Sequence, residues 1–217
     1  MDVVVAGGHG KVARRLLERL AAGGNRARGL IRDPDHAADL ERVGAEPVVA
    51  DLEAEEDLSP YVAGASAVVF AAGAGPGSGP ERKRSVDLGG ALKLIAAARQ
   101  QGVARYVMVS AMGAGDPAAG PPAMRPYLEA KAQADAALST SGLDWTIVRP
   151  GRLTDDPPTG RVTAAHRLRR RGEITRDDTG AVLAATVRAP NTIGLMFEVL
   201  AGDTPVEEAV AALQGAR

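Results

Sequence analysis

The sequence predicts an α/β fold built on a doubly wound parallel sheet, and three observations carry that expectation. Met1 to Ala13 runs from the β-branched Val3, Val4 and Val5 through a glycine cluster into a helical pattern marked by Val12, Leu16, Leu17 and Leu20, which reads as strand, tight turn, helix. Ala67-Val68-Val69-Phe70 is an unbroken apolar run of the kind buried on both faces of a parallel sheet. Such strand patterns alternate with helical ones along most of the chain, as they do where helices cover both sides of a sheet.

The elements follow in order. Gly23-Gly24-Asn25 stops the first helix, and Arg26 to Ile31 is the second strand. Asp33 or Asp35 caps a helix that passes Leu40 and Val43 and closes at Gly44. Glu46 to Ala50 is the third strand with Asp51 at its end, Leu58 to Val62 a short helix, and Ala65 to Ala72 holds the fourth strand. Gly73-Ala74-Gly75-Pro76-Gly77-Ser78-Gly79-Pro80 is a flexible loop at the carboxyl edge where open α/β sheets bind ligands; it suits a covering or gating loop, or a plain connection. A helix from Val86 to Gln101, a fifth strand from Val103 to Ser110, a loop from Ala111 to Pro126, a helix from Tyr127 to Ser141 and a sixth strand from Leu143 to Pro150 complete the unit. Right-handed crossovers then imply the strand order 3-2-1-4-5-6.

Residues 151–217 are less regular. They read as a turn at Pro157 to Gly160, a short strand from Arg161 to Ala165, a basic run from His166 to Arg171, a helix through Leu183 and Val187, a strand within Asn191 to Val199, and a terminal helix from Pro205 to Leu213. The expectation is a single domain over 1–217 whose last portion is a small substrate-side appendage.

Composition narrows the function. With 26 basic and 27 acidic residues and a formal net charge of -1, no global field draws nucleic acid or an anionic membrane, so the expected partner is a small molecule. The absence of cysteine excludes disulfides, thiolate metal sites and cysteine nucleophiles. His9, His36 and His166 stand in unrelated contexts, so no metal is expected. No apolar run approaches the roughly 20 residues of a membrane span, and the first residues lack the charged start of a signal peptide. A cytoplasmic monomer or homodimer is the expectation.

The glycine turn places backbone N–H groups and a helix N-terminus before an open pocket, an arrangement that favours phosphate. Gly7 permits the tight turn, Gly10 the approach of a pyrophosphate, and Ala13 the packing of helix on strand. The spacing G-x-x-G-x-x-A departs from the simplest dinucleotide fingerprint, and a plain structural turn is the alternative. About 20 positions beyond the glycines, Arg32 stands at the tip of the second strand, where an arginine accommodates a 2′-phosphate and an acid would bind the ribose hydroxyl. NADP is therefore expected, with NAD the alternative because Asp33 is adjacent; a surface Arg-Asp pair is the bland reading.

Tyr127 and Lys131 are four apart and share a helix face, and Ser110 ends the fifth strand at the edge where the glycine turn opens. A phenol has an unperturbed pKa of about 10. A cation about 4 Å away contributes roughly 4 kcal/mol at an effective dielectric of 20, against which desolvation works, so a lowering by about one to three pH units is expected. Tyr127 would then give a proton to a carbonyl oxygen during hydride transfer or take it in reverse, with Ser110 hydrogen-bonding the same oxygen and Lys131 also holding the nicotinamide ribose. Alone, a Y-x-x-x-K pair is an ordinary amphipathic helix; its place after the fifth strand favours the chemistry.

The chain resembles the atypical short-chain dehydrogenases/reductases, in the small NAD(P)-binding, epimerase/dehydratase-like or NmrA-like subgroup. The resemblance is carried by Gly7-Gly8-His9-Gly10-Lys11-Val12-Ala13, Ile31-Arg32-Asp33-Pro34, Ala50-Asp51-Leu52, Phe70-Ala71-Ala72-Gly73, Val109-Ser110, Tyr127-Leu128-Glu129-Ala130-Lys131, Ser141 to Gly151 and Ile174-Thr175-Arg176-Asp177-Asp178. It implies a Rossmann fold, with the glycine turn from Gly7 to Val12 on the pyrophosphate and Arg32 on the 2′-phosphate. By the same resemblance Asp51 and Leu52 lie at the adenine, Ala72 and Gly73 along the cofactor, and Pro150 and Gly151 near the nicotinamide. Ser110, Tyr127 and Lys131 would be the catalytic set. Asp87 stands where many relatives have asparagine, which bears on a proton relay if that side chain matters.

Three functions fit this resemblance: an NADP(H)-dependent oxidoreductase acting on a small carbonyl compound, a redox-sensing module without turnover, or an epimerase or dehydratase that retains its cofactor. The portion after Pro150 leaves little material for a lid, so the substrate is small or the site is open and completed by a partner. Arg167, Arg169, Arg170 and Arg171 read as a solvated basic face, with attraction of an anionic substrate the sharper alternative. His166 reads as a surface residue and Trp145 as packing against the sheet.

Overall fold

The computed structural model describes residues 1–75 and 77–214, so Pro76 of the glycine-rich loop and residues 215–217 lie outside the described residues. Strand β1 (Asp2–Ala6) leads through the glycine turn to helix α1 (Lys11–Ala22), then β2 (Arg26–Ile31), a 3-10 turn at Pro34–His36, α2 (Ala37–Glu41), β3 (Glu46–Val49), α3 (Ser59–Val62) and β4 (Ala67–Phe70). Asp33 caps the 3-10 turn by accepting from Asp35 N. The next helix begins at Pro80, earlier than the Val86 that the apolar spacing predicts. It runs as α4 (Pro80–Arg82), a π-helical stretch (Lys83–Gly90) and α5 (Ala91–Gln100). Proline suits a first helical position because the N–H it lacks would have no partner there. Residues 81–85 are all polar, so no apolar spacing marks the helix before Val86.

Beyond it come β5 (Arg105–Val109), α6 (Arg125–Ser139) and β6 (Asp144–Pro150), followed by β7 (Arg152–Thr154), β8 (Arg161–Ala165), β9 (Glu173–Thr175), α7 (Arg176–Arg188), β10 (Leu195–Ala201), β11 (Thr204–Pro205) and α8 (Val206–Ala211). The main sheet has nine strands in the order β11-β8-β10-β6-β5-β4-β1-β2-β3. The six strands β1 to β6 pair in parallel in the expected order 3-2-1-4-5-6. The sequence pattern does not place the remaining three: β10 joins β6 in parallel, and β8 and β11 add antiparallel to that edge. A separate parallel pair, β7 with β9, aligns Arg152 with Glu173 and Thr154 with Thr175.

Alternation along the strands divides the apolar interior into two layers. Val3 and Val5 face α1 and α7 with Leu16, Leu17, Leu20, Val182 and Leu183, whereas Val4, Val68 and Phe70 face α5 and α6 with Leu94, Ala134 and Leu138. Trp145 packs against the second layer.

Two buried polar groups lock the carboxyl-terminal portion to this frame. Asp178, in the first turn of α7, accepts from Thr159 N (3.1 Å), Gly160 N (2.8 Å) and Thr175 Oγ1 (2.9 Å), while Thr175 Oγ1 accepts from Asp178 N (2.9 Å). This cap pins the turn before β8. Arg105 is 9% exposed and donates to Thr146 Oγ1, Thr192 Oγ1 and the carbonyls of Asp144, Thr186 and Val187. Burial lowers its pKa to about 10. Truncating it leaves several acceptors unpaired, so Arg105→Ala is predicted to lose about 3 kcal/mol or more of unfolding free energy in urea denaturation.

Candidate functional site

The turn after β1 is built by close backbone approach. Gly7 has φ +80°, and a Cβ on it would lie 2.6 Å from Ala72 Cα; a Cβ on Gly8 would lie 2.8 Å from Gly29 Cα. The turn is held by Gly10 N to Gly7 O and Gly8 N to Leu30 O, each 2.8 Å. Gly10 precedes α1 with no side-chain cap, and the first turn of that helix carries no acid. An uncapped helix N-terminus over a glycine cradle fits a pyrophosphate. The side chains of the turn have other partners: His9 Nε2 is 2.7 Å from Asp39 Oδ2, and Lys11 Nζ donates to Asp155 at 2.7 Å. The His9 ring stacks on that of His36, with centroids 3.5 Å apart.

At the tip of β2, Arg32 is exposed and its nearest carboxylate is Glu53, at 3.8 Å. Asp33 is turned into its own cap. Asp51 accepts from Glu53 N at 2.8 Å, and Leu52 lies buried in the apolar layer beside Phe70.

An open cleft of about 1700 Å³ runs along the carboxyl edge of the sheet. It brings together Ser110, Tyr127 and Lys131 with Val12, Ala72, Gly73, Pro150 and Gly151. Of the anticipated site residues, Gly7, Gly8, His9, Gly10, Lys11, Arg32, Asp51 and Leu52 do not line it. Such a volume exceeds the roughly 300–1000 Å³ of a single small-ligand pocket and leaves room for a dinucleotide and a second molecule.

Lys131 is 3% exposed, and its Nζ lies 3.3 Å from Asp87 Oδ1 while donating to Val109 O (3.1 Å) and Ala72 O (3.4 Å). Asp87, wholly buried in the π-helical stretch, accepts from Ala74 N at 3.0 Å through Oδ2. Its Oδ1 has no hydrogen bond among the described residues. Its partner there is the Lys131 ammonium, an ion pair without hydrogen-bond geometry. Ser110 Oγ donates to Asp135 Oδ2 (2.8 Å), which Arg149 also binds at 2.9 Å. Burial pushes the Asp135 carboxyl up, while Ser110 and Arg149 pull against it. Asp135 and this ion pair escaped the sequence reading because nothing local marks a buried acid within an amphipathic helix.

Tyr127 corrects an expectation. Lys131 Nζ is 5.9 Å and Lys83 Nζ 5.3 Å from its ring centroid. Burial, followed by the charges of Asp87 and Asp135, nevertheless raises the phenol above its usual range. The expected cation does approach, but Asp87 neutralises it. The arginines read as a solvated face are exposed, and Arg167, Arg169, Arg170 and Arg171 also line the cleft.

Fold and site together define a dinucleotide-binding α/β protein. A family described as NAD(P)H-binding matches residues 7–190, and the chain belongs to it. Over 98% of this chain and all of the other, it is 39% identical to the "Uncharacterized sugar epimerase YhfK" of Bacillus subtilis. A candidate NAD-dependent epimerase/dehydratase from Bacillus halodurans superposes with TM-score 0.95 at 45% identity, covering 98% of this chain and 100% of that one. The oxidoreductase ylbE from Lactococcus lactis gives TM-score 0.86 at 26% identity over 98% and 96%. The atypical dehydrogenase/reductase resemblance thus holds, and a nicotinamide cofactor comes with it. Among the described residues no helix is long and apolar enough to cross a membrane.

Asp87→Asn removes one of the two carboxylates acting on Tyr127 and leaves the cation of Lys131 uncompensated. Both changes favour phenolate, so the Tyr127 pKa is predicted to fall by about one unit or more. Ultraviolet phenolate titration against Tyr127→Phe reads the shift; an unchanged titration would mean that burial alone sets it.

Proposed function

We propose that the protein is an NADP(H)-dependent oxidoreductase that reduces a small carbonyl compound, with Tyr127 as proton donor. The observation that carries this reading is the phenol itself, held protonated in the wall of the cleft that Ser110 and Lys131 share. The bound nicotinamide would supply hydride to the carbonyl carbon. Tyr127 would deliver its proton to the carbonyl oxygen, leaving a phenolate whose ring lies under the Lys83 ammonium. Lys131 would hold the nicotinamide ribose. The Ser110 proton is committed to Asp135, so the hydroxyl serves the substrate oxygen only by turning away from that carboxylate.

A phenol held above its usual range stays protonated near neutrality, so the form poised to give a proton is populated and the phenolate that oxidation would need is scarce, which favours reduction over oxidation. Tyr127→Phe is predicted to lower kcat for NADPH-dependent reduction of aldehydes, ketones or quinones by about 100-fold or more. In the wild type the rate should show no loss assignable to the phenol below about pH 10, because a donor with a raised pKa stays protonated to higher pH. Tight NADPH binding with no turnover on any compound would point to a sensing role.

NADP preference is supported by Arg32, which is open to solvent, and by Asp33, whose carboxylate is engaged in its own cap. Arg32→Ala is predicted to weaken NADPH at least tenfold, read by cofactor fluorescence, with NADH affinity changed less than twofold; equal losses would remove the 2′-phosphate assignment.

A second reading, epimerisation or dehydration with retained cofactor, is favoured by the names of the two Bacillus relatives. It uses the same Tyr127, and nuclear magnetic resonance of sugars incubated with the protein would reveal epimer or dehydrated product without net consumption of NADP(H).

A further inference from the structure

We infer that the cleft takes a polyanionic substrate, one carrying two or more phosphate or carboxylate groups, and that the Arg167 to Arg171 segment binds those groups. This names the substrate class of the site proposed above and rests on that reading of the cleft.

The first observation is charge. The whole chain is balanced, with a formal net charge of -1. Eight lysines and arginines line the cleft against three acids, Asp87, Glu173 and Glu198. Each acid already has a partner: Asp87 faces Lys131, Glu173 pairs with Arg152, and Glu198 Oε2 accepts from Leu168 N at 2.7 Å. The flanking Arg176 pairs with Asp155 at 3.1 Å. Arg167, Arg169, Arg170 and Arg171 are exposed, and none makes an ion pair among the described residues. A concave wall of one sign focuses its field into the cleft and concentrates ligands of the opposite sign there.

The second observation is that this repulsive segment is built in place. Glu198 on β10 holds the backbone of Leu168, which is half-buried. Arg169 is the one non-glycine among the described residues with positive φ, at 52°. Gly172 O accepts from Arg152 N at 3.0 Å, and a Cβ on Gly172 would press Leu200 at 3.0 Å. His166 contacts Met196 O and Gln214 O with its two ring nitrogens. The segment is thus tied at both ends and in its middle, and of its guanidinium groups that of Arg170 makes one long hydrogen bond, to Thr163 Oγ1 at 3.4 Å, while no side-chain partner is seen for those of Arg167, Arg169 and Arg171 among the described residues.

These arginines are separate from the pyrophosphate cradle. Of the glycine turn and the first turn of α1, only Val12 reaches the cleft, whereas the arginines share it with Tyr127 and Lys131. A guanidinium fork matches phosphate and carboxylate oxygens in pairs, and several forks on one wall select ligands with more than one such group.

Titration calorimetry on the full chain saturated with NADP+, with inorganic pyrophosphate in one arm and citrate in the other, tests the inference. The expected result is binding of at least one probe, weakened by added salt. The double variant Arg169→Gln/Arg170→Gln should weaken it at least tenfold, and Arg99→Gln, on an exposed helix position outside the cleft, less than twofold. The stronger arm identifies the preferred oxyanion. Retained NADPH affinity in the double variant shows that fold and cradle are intact. Absence of binding by both probes in the saturated protein, an equal effect of the two variants, or binding only when NADP+ is omitted would overturn the inference. Calorimetry needs no turnover, so failure of the reductase reading would appear in the rate measurements and leave this result legible.

Discussion

The pair of Lys131 and Asp87 sits where four parts of the fold meet. Lys131 comes from α6 and Asp87 from the π-helical stretch; the ammonium donates to the ends of β4 and β5, and the carboxylate takes Ala74 N from the loop after β4. Withdrawing two such charges from water costs several kcal/mol per ion, and the pair recovers that only through good geometry and satisfied neighbours. Here one carboxylate oxygen keeps no hydrogen bond. An apolar pair would stabilise the fold at least as well, so the ion pair is better explained by what it holds in place. It fixes the exits of the two strands that frame the cleft and keeps a buried acceptor at the wall.

The same pair governs the phenol. A lysine four residues from a tyrosine lowers its pKa only while that cation is uncompensated. With Asp87 beside it, the net field at Tyr127 comes from burial and from carboxylates, and the proton stays on. Asp135 adds to this effect and takes the proton of Ser110, while Arg149 keeps that acid from being isolated. The three residues of the proposed catalytic set are thereby held by two buried ion pairs.

Much of this was legible in the chain. The β1-turn-α1 unit, the strand order and the positions of Ser110, Tyr127 and Lys131 follow from period, caps and glycines, which are local signals. The start of the helix at Pro80 was not, because its first turns are wholly polar and leave no apolar period to detect. Nor were β7, β9 and the extension of the sheet by β10 and β8, since short strands are identified by partners distant in sequence. The acid-base pattern of Tyr127 was misjudged for a related reason: Lys131 is four residues away, but the carboxylate that cancels it is 44 positions upstream.

The portion from Gly151 onward explains how the cleft is walled beyond the sixth strand. Adding β10 in parallel beside β6 carries Glu198 next to the sheet edge, and that carboxylate is one of the anchors of the loop between β8 and β9, with His166 and Gly172. Elsewhere acids and bases pair on outer faces, as Asp155 does with Lys11 and Arg176, and Glu46 with Arg26. Acids spent in this way leave the balance of the chain near zero while the arginine segment keeps its charge. A charge that is neutral over the molecule and positive within one concavity needs no lid to collect an anionic ligand, because field and shape act together at the open mouth.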